Sequence, residues 1–157
     1  MIDPDAFRSI LGRFTTGVTV VTIRDGGGTD HGMTVSAFAS VSLDPPLVLA
    51  CIGRDSDMHP ALERAKHFGI SILTAEQEAL SRRFSDPLPD RFAGVGFHRA
   101  ASGVALLDDA LATLDCTIAA RHEAGDHTIV VGQVNDGAMT NAPPLVYFRS
   151  GYTQLER

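Results

Sequence analysis

Residues 32–37 combine small and hydroxyl-bearing side chains within a stretch that is typical of a β-strand. Small side chains let a flat ligand approach the backbone, whose N–H and C=O groups then recognise the polar edge of that ligand. A strand that faces the crowded interior of a barrel has the same composition. Composition alone slightly favours this second interpretation, and both interpretations stay open.

Two neighbouring arginines, Arg82 and Arg83, end a short helix pattern and are flanked by the hydroxyl groups of Ser81 and Ser85. A guanidinium group binds phosphate through two parallel hydrogen bonds, so the pair is a candidate phosphate site. The alternative is a basic helix face in contact with solvent. Taken alone, the pattern favours this alternative.

His127 lies in the segment 125–128, which is typical of a hairpin turn between two strands. At the mouth of a barrel its imidazole can hydrogen-bond the amide of a substrate. Asp126 is interpreted as part of the turn. His122, Asp126 and His127 together can hold a metal, but no H-E-x-x-H or C-x-x-C motif accompanies them, so no metal site is predicted.

Other motifs that assign a reaction class are missing. The sequence has no G-x-S-x-G motif of serine hydrolases and no G-x-x-x-x-G-K-[ST] phosphate-binding loop. The G-x-G motif at residues 94–96 has no third glycine, which disfavours a Rossmann dinucleotide site. Cys51 and Cys116 occur in apolar runs and are expected to be small buried side chains.

The net charge is −6, from 13 Lys and Arg residues against 19 Asp and Glu residues. This balance argues against binding to a nucleic-acid backbone. No apolar run approaches the ~20 residues that cross a bilayer, and the acidic start of the chain differs from a signal peptide. We therefore expect a cytoplasmic protein that binds neither nucleic acid nor membranes.

Hydrophobic periodicity predicts the elements that position these residues. A helix begins at Asp3-Pro4, and its apolar stripe consists of Phe7, Ile10, Leu11 and Phe14. Further helices are predicted at 57–66 and 75–84. Strands are predicted at 18–23, 32–43, 47–52, 68–73, 111–122, 128–134 and 145–148. Residues 85–103, rich in Pro, Gly and charge, are predicted to form a loop.

Six or seven strands with two or three short helices, and no regular βαβ alternation, disfavour a doubly wound parallel sheet. A mainly antiparallel, closed or partly closed barrel fits better, because closure removes exposed strand edges. The chain contains no linker and no internal repeat. Residues 1–157 are therefore predicted to form a single domain.

Several segments resemble the short-chain NAD(P)H:flavin oxidoreductases. The similarity is clearest at residues 14–22, 32–38 and 40–48. Shorter matches follow in the same order at Leu80-Ser81, Arg91-Phe92, Gly94-Val95, 125–128 and Gly151-Tyr152. The resemblance covers the chain from about Phe7 to Tyr152.

This resemblance implies a mainly β, antiparallel fold with short helices, the FMN-binding split β-barrel, assembled as a homodimer. It implies a reductase that transfers hydride from NADH or NADPH to FMN or FAD and supplies a separate flavin-dependent monooxygenase. Phe148 and Tyr152 can cover the flavin of a neighbouring subunit. A flavin-binding electron carrier or sensor is the alternative function, and an oxidase of a pyridoxine-like substrate is a more remote one.

The resemblance also assigns candidate site residues. Contacts to the flavin ring are expected from the backbone and hydroxyl groups of Thr34, Val35, Ser36 and Ala37, with Cys51 and Ile52 on the next strand. Ser56 and the segment Arg82-Arg83-Phe84 are expected near the phosphate or adenylate, and His127 near the nicotinamide. Two acids, Asp55 and Asp57, flank Ser56.

Hydride transfer from nicotinamide C4 to flavin N5 requires no acid, base or nucleophile from the protein, because the cofactors carry the chemistry. The protein has to hold two rings together and exclude water. This requirement agrees with the missing catalytic motifs. Backbone donors near flavin N1 and O2 are expected to stabilise the negative charge that develops in the ring.

Overall fold

The computed structural model describes residues 1–156, which contain three short α-helices and twelve strands. The helices are α1 (Pro4–Leu11), α2 (His59–Arg64) and α3 (Glu78–Arg83), and a 3₁₀ turn, Ala75–Gln77, precedes α3. The strands are β1 (Thr16–Gly17), β2 (Thr19–Arg24), β3 (Asp30–Val35), β4 (Phe38–Ser42), β5 (Leu47–Gly53), β6 (His67–Ile72), β7 (Phe97–Arg99), β8 (Ala105–Leu107), β9 (Ala112–Ala124), β10 (His127–Met139), β11 (Val146–Phe148) and β12 (Gly151–Thr153).

The largest sheet has seven antiparallel strands in the order β3-β2-β6-β9-β10-β5-β4. Its two edge strands, β3 and β4, follow each other directly in the chain, and β3 also contacts β5. The sheet therefore curls until its edges meet at Ser36-Ala37, where the chain itself rather than a strand ladder joins them. We call this junction the seam. The arrangement confirms the predicted antiparallel, partly closed barrel.

The barrel interior is filled by one face of each strand. In β5 the side chains of Val48, Ala50 and Ile52 are buried, and the residues between them are only partly covered. Phe68 of β6 is fully buried and lies over Gly132 of β10, where a Cβ atom would overlap its ring. This alternation is the pattern expected of strands with one face on a core.

A second cluster of buried side chains lies outside the barrel, between α3, the hairpin β7–β8 and the three-stranded sheet β1-β11-β12. Its fully buried members include Leu73 and Phe84. The ring of Phe84 approaches β3 at Gly32, where a Cβ atom would lie 2.7 Å from the ring. This contact sets α3 against the edge of the barrel.

Helix α1 begins where the sequence predicts, because the Asp3 carboxylate accepts hydrogen bonds from the N–H groups of Asp5 and Ala6, both at 3.1 Å. Its apolar stripe, however, is exposed: Phe7 retains 52% of its accessible surface and Phe14, just beyond the helix, 76%. No residue of α1 is buried. The stripe is therefore an apolar surface of the chain and not part of its core.

Three predicted elements differ from those observed. The strand predicted at 32–43 is two strands, since the chain changes direction at the seam. The helix predicted at 75–84 is a 3₁₀ turn followed by α3, and the loop predicted at 85–103 contains β7. Strands of two or three residues, such as β7, β8 and β12, are too short to show a period in the sequence.

No helix of the described residues has the length and apolar character needed to cross a membrane.

Candidate functional site

A groove follows the outer side of β3 from the seam towards α2. Its first part encloses about 190 Å³ and is lined by Val18, Thr34, Ser36, Ser85, Tyr147 and Tyr152. Its second part, about 310 Å³, shares Thr34 and Ser85 and continues along Met33, Asp55, Ser56, Asp57, Phe84 and Arg91. Small-molecule sites usually enclose ~300–1,000 Å³. The two parts together reach this size, whereas the first part alone does not.

Thr34 forms the floor where the two parts meet. Its N–H donates to the carbonyl of Phe84 at 3.2 Å, and its hydroxyl donates to the carbonyl of Ser81 at 2.7 Å. The hydroxyl of Ser85 donates to the same Ser81 carbonyl at 2.9 Å. Since a hydroxyl has only one proton, Thr34 and Ser85 present lone pairs to the groove. They therefore suit a ligand that offers N–H or O–H donors.

The seam supplies the opposite polarity. Ser36 and Ala37 are exposed, and their carbonyls accept hydrogen bonds from the N–H groups of Phe38, at 2.9 Å, and Cys51, at 3.0 Å. Within residues 1–156, no acceptor takes the N–H of Ser36 or Ala37. Backbone N–H groups that are held in place without a partner can stabilise negative charge on a ligand.

Two tyrosines form one wall of the first part. The hydroxyl of Tyr152 is 2.6 Å from Ser81 Oγ, and its ring packs edge-on against Tyr147, with ring centroids 5.5 Å apart. The guanidinium of Arg82 lies 4.8 Å from the centre of the Tyr152 ring and 3.3 Å from the carboxylate of Glu78. Tyr152 thus lies in the groove of its own chain.

The turn that joins the two tyrosine strands is held to α1. Arg149 and Ser150 have φ angles of 53° and 63°, the left-handed conformation that a two-residue hairpin turn requires. The N–H of Arg149 donates to the carbonyl of Gly12, directly after α1, at 2.9 Å. The helix and the aromatic wall are therefore connected.

His127 lies at the rim of the barrel, at the start of β10 and opposite Gly53 of β5. Its Nδ1 is 2.7 Å from Asp126 Oδ1, and this hydrogen bond holds the pKa of the Asp126 carboxyl below its usual value. Asp126 therefore orients the imidazole, in addition to forming the turn that the sequence indicates. With the Nδ1 proton donated to the carboxylate, Nε2 is left for another partner.

The imidazole is close to the second part of the groove. Nε2 of His127 lies 4.0 Å from the position that a Cβ on Gly53 would occupy, and Asp55 Oδ1 lies 3.2 Å from the same position. Asp55 itself lines the groove. A ligand in the groove and a second molecule held by His127 would therefore meet at this rim.

The sequence matches the family described as "Flavin reductase like domain" over residues 11–156. The chain belongs to this family. The resemblance predicted from the motifs at 14–22, 32–38 and 40–48 is confirmed, and so is the fold that it implies.

Several known proteins are similar to this flavin reductase-like chain over nearly its whole length, and a solved structure among them has the same fold. It is 44% identical over 152 residues to the FMN reductase (NADH) SmoA of Agrobacterium fabrum, covering 97% of this chain and 86% of that one. It is 38% identical over 161 residues to HsaB of Mycobacterium tuberculosis, the reductase subunit of a flavin-dependent monooxygenase, covering 99% and 84%. The solved structure of the Streptomyces globisporus NADH:FAD oxidoreductase SgcE6, in complex with NAD and FAD fragments, has a TM-score of 0.93 at 38% identity and covers 99% of this chain and 96% of that one.

The two arginines of the predicted phosphate site have separate environments in this flavin reductase-like fold. Arg82 is largely exposed beside Tyr152. Arg83 donates through Nε to the carbonyl of Arg91 at 2.6 Å, and through Nη2 to those of Asp90, at 3.1 Å, and Ala93, at 2.9 Å. Its guanidinium therefore holds the segment 90–93 in place through Nε and Nη2, and its contact with a phosphate stays a prediction.

Arg91 is the cation that lines the second part of the groove, and it is not among the site residues predicted from the sequence. Its Nε donates to the carbonyl of Asp86 and its Nη1 to that of Gly32, both at 2.8 Å. The dipeptide Arg91-Phe92 was one of the short matches to the family, and this match was the signal that pointed to it. In the sequence, Ser85 is only a residue that flanks the two arginines, whereas the fold places it on the groove floor.

Four other predicted residues contribute little through their side chains. Val35 and Ile52 are buried in the barrel core, and the ring of Phe84, which borders the groove, is fully buried. Cys51 lies on the outer face of β5 beside the seam, although it does not line the groove, and burial raises the pKa of its thiol. Cys116 is a buried side chain as expected, and burial, with the charge of Asp115, raises its pKa to about 12.

Substituting the two arginines separately tests this difference. Arg83→Met is expected to lower the free energy of unfolding by about 1–3 kcal/mol, because three backbone carbonyls lose a charged donor. Arg82→Met, the matched control, is expected to change it by less than about 1 kcal/mol, since its ion pair is exposed. Urea denaturation of both variants measures the difference. Equal losses in the two variants would contradict the structural role of Arg83.

Proposed function

We propose that this protein, as a single domain over residues 1–157, is a flavin reductase that uses NADH or NADPH and binds the ring of FMN or FAD in the groove along β3. One observation carries the proposal: Ser36, whose N–H has no acceptor within residues 1–156, lines the first part of the groove together with the acceptor hydroxyls of Thr34 and Ser85. The polar edge of an isoalloxazine ring offers both carbonyl acceptors and an N–H donor. A groove with both polarities and an aromatic wall suits such a ring.

The names of the relatives support the choice of cofactors. SmoA is named an FMN reductase that uses NADH, and SgcE6 an NADH:FAD oxidoreductase. Both names include NADH and they differ in the flavin. NADH is therefore the first donor to test, with FMN and FAD as alternative acceptors.

A bound flavin supplies the hydride-accepting chemistry, so the residues of the chain have to bind, orient and exclude water. The N–H groups of Ser36 and Ala37 stabilise negative charge on the polar edge of the ring. Tyr147 and Tyr152 cover one side of the first part of the groove and keep water from it. His127, oriented by Asp126, offers Nε2 beside the second part of the groove to the arriving nicotinamide nucleotide, whose nicotinamide then extends towards the ring in the first part.

The tail of the flavin then extends into the second part of the groove. Ser56 and Arg91 line this part, whereas Arg82 lies beside Tyr152, in the wall of the first part. Ser56 donates its hydroxyl proton to the carbonyl of Gly53 at 2.7 Å, so it presents acceptor lone pairs to the ribityl hydroxyls. Arg91 is the positive group available to a phosphate.

A flavin-dependent monooxygenase is the partner that we propose for the reduced flavin. HsaB is named the reductase subunit of such an enzyme. The exposure of Ser36 and Ala37 agrees with this role, since a ring bound at the seam is not enclosed by its own subunit and can leave after reduction.

The reductase function is tested by following the absorbance of NADH and NADPH with the purified protein, with and without FMN or FAD. We expect oxidation of the nicotinamide that depends on added flavin, with NADH the better donor. Flavin fluorescence titration on the same preparation measures binding. Tight flavin binding without oxidation of either nicotinamide would contradict the proposal and favour an electron carrier or sensor.

A homodimer is the assembly that we propose. The outer faces of β5 and β10 carry partly covered apolar side chains, among them Leu49 and Val131, and α1 exposes its apolar stripe. Leu43, after β4, retains 92% of its accessible surface. Exposed apolar side chains in such numbers are typical of protein interfaces. A second subunit also enlarges the first part of the groove, which is too small for a ring by itself.

Light scattering at micromolar concentration is expected to give twice the mass of the chain. Leu49→Glu should shift the mass to that of a monomer and weaken flavin binding at least tenfold, because a charge is placed on the apolar face. Ala101→Glu, on the exposed turn between β7 and β8 and outside both groove linings, should have neither effect. A monomer mass for the unmodified protein would contradict the proposal.

His127→Ala is expected to lower kcat/KM for NADH by a factor that corresponds to about 1–3 kcal/mol, the cost of one lost hydrogen bond. The flavin dissociation constant and Tm should stay unchanged, since the imidazole lies at the rim. His122→Ala, on the other strand of the same hairpin, is the matched control. Loss of Tm and of flavin affinity with normal NADH kinetics at saturating flavin would assign His127 a structural role instead.

A further inference from the structure

Two carboxylates without a cationic partner line the second part of the groove. Asp55 and Asp57 lie on either side of Ser56, in the turn between β5 and α2, and both are exposed. Within residues 1–156, neither carboxylate forms an ion pair or accepts a hydrogen bond from a side chain. The neighbouring Arg54 is directed towards Glu123, at 3.8 Å, and so does not neutralise them.

The charge of the groove therefore changes along its length. The first part is lined by Val18, Thr34, Ser36, Ser85, Tyr147 and Tyr152, none of which is charged at neutral pH. The lining of the second part contains two carboxylates and one guanidinium, that of Arg91. Two of the Arg91 nitrogens already donate to backbone carbonyls, which holds the group at one place on the wall.

Flavins differ from one another in the part that would enter this acidic region. Riboflavin and FMN have the same ring and the same ribityl chain, and FMN adds a terminal phosphate with a charge close to −2. A ring seated in the first part of the groove directs this phosphate towards Asp55 and Asp57. The interaction of like charges is unfavourable, although solvent and salt weaken it because both carboxylates are exposed.

We infer that Asp55 and Asp57 determine flavin specificity: they cancel the advantage of a phosphate, so that the protein uses riboflavin at least as well as FMN. This inference rests on the proposed function, since it assumes that the flavin ring occupies the first part of the groove. The net charge of −6 would also disfavour a phosphate, but the inferred preference between riboflavin and FMN depends on two side chains in the groove lining.

The test compares kcat/KM for FMN with kcat/KM for riboflavin at saturating NADH. For the unmodified protein we expect a ratio of about one or less. Asp55→Asn and Asp57→Asn should each raise the ratio about threefold, and the double variant about tenfold, through a lower KM for FMN with unchanged values for riboflavin. Glu76→Gln removes the same charge from the 3₁₀ turn, outside the groove, and should leave the ratio unchanged.

A salt titration of the unmodified protein gives a second measurement that does not depend on any variant. Salt screens the repulsion of the phosphate but has no such effect on riboflavin, so the ratio should rise with sodium chloride between low and moderate ionic strength. In the double variant the ratio should no longer rise and should fall slightly, because only the attraction between the phosphate and Arg91 is left for salt to screen. Because both substrates share the ring, effects of salt on stacking or on NADH binding cancel in the ratio.

A tenfold or greater preference of the unmodified protein for FMN, or an unchanged ratio in the double variant, would overturn the inference. In that case flavin-dependent oxidation of NADH would still support the reductase. If no flavin is reduced and none binds by fluorescence titration, the proposed function fails and the inference fails with it. The two failures are thus distinguishable on the same protein preparation.

Discussion

The hydrogen bonds that the barrel leaves unmade at its seam are the feature on which the site depends. Seven strands curl until β3 and β4 meet, but two residues, Ser36 and Ala37, join these strands without a ladder between them. Strand ladders on both sides would use both N–H groups. Since Ser36 and Ala37 are exposed, water can satisfy these donors, and a ligand that offers acceptors can take its place.

The segment 81–93 covers the edge of β3 and completes the floor of the groove. Carbonyl oxygens make the connection: that of Phe84 receives the N–H of Thr34, and that of Ser81 receives the hydroxyls of Thr34 and Ser85. Arg83 and Arg91 then fasten the segment by donating to further carbonyls. Arg83 thus makes three hydrogen bonds to the protein backbone and Arg91 makes two. An edge strand that would otherwise invite another chain is covered by these contacts.

The division of the groove into a neutral and an acidic part suits a protein that handles flavin as a substrate. The neutral part offers donors, acceptors and an aromatic wall to a planar ring, and the acidic part offers little attraction to a phosphate. Tight retention of a phosphorylated flavin would need more free guanidinium groups than Arg91 alone. The hairpin of β11 and β12, which carries Tyr147 and Tyr152, is joined to α1 by the hydrogen bond to Gly12. It therefore links the groove to the apolar stripe of α1, where a second subunit is proposed.

The sequence by itself determined the class of fold and the position of the groove along the chain. The β-branched run of β2 is typical of a strand, as are the short apolar stretches of β5 and β6, and Asp3 marks the start of α1 through its side-chain cap. The mixture of small and hydroxyl residues at 32–37 is open to two interpretations, a crowded barrel interior or an approach for a flat ligand; the crowding at Gly32 comes from outside the barrel, and the approach of a ligand stays a prediction. Gly32 is small because the Phe84 ring lies against it, and Ser36 lines the groove.

Only the tertiary structure decided which residues serve the groove. Arg82 and Arg83 are adjacent in sequence, yet one is exposed and the other holds three carbonyls, because consecutive helix residues point in directions about 100° apart. Ser85, Arg91 and Tyr152 meet β3 from distant parts of the chain, and no local pattern records such a meeting. Whether an apolar stripe is core or surface, as in α1, depends likewise on what the rest of the chain packs against it. Local periodicity reports the conformation of a segment, whereas a site is formed by contacts between segments.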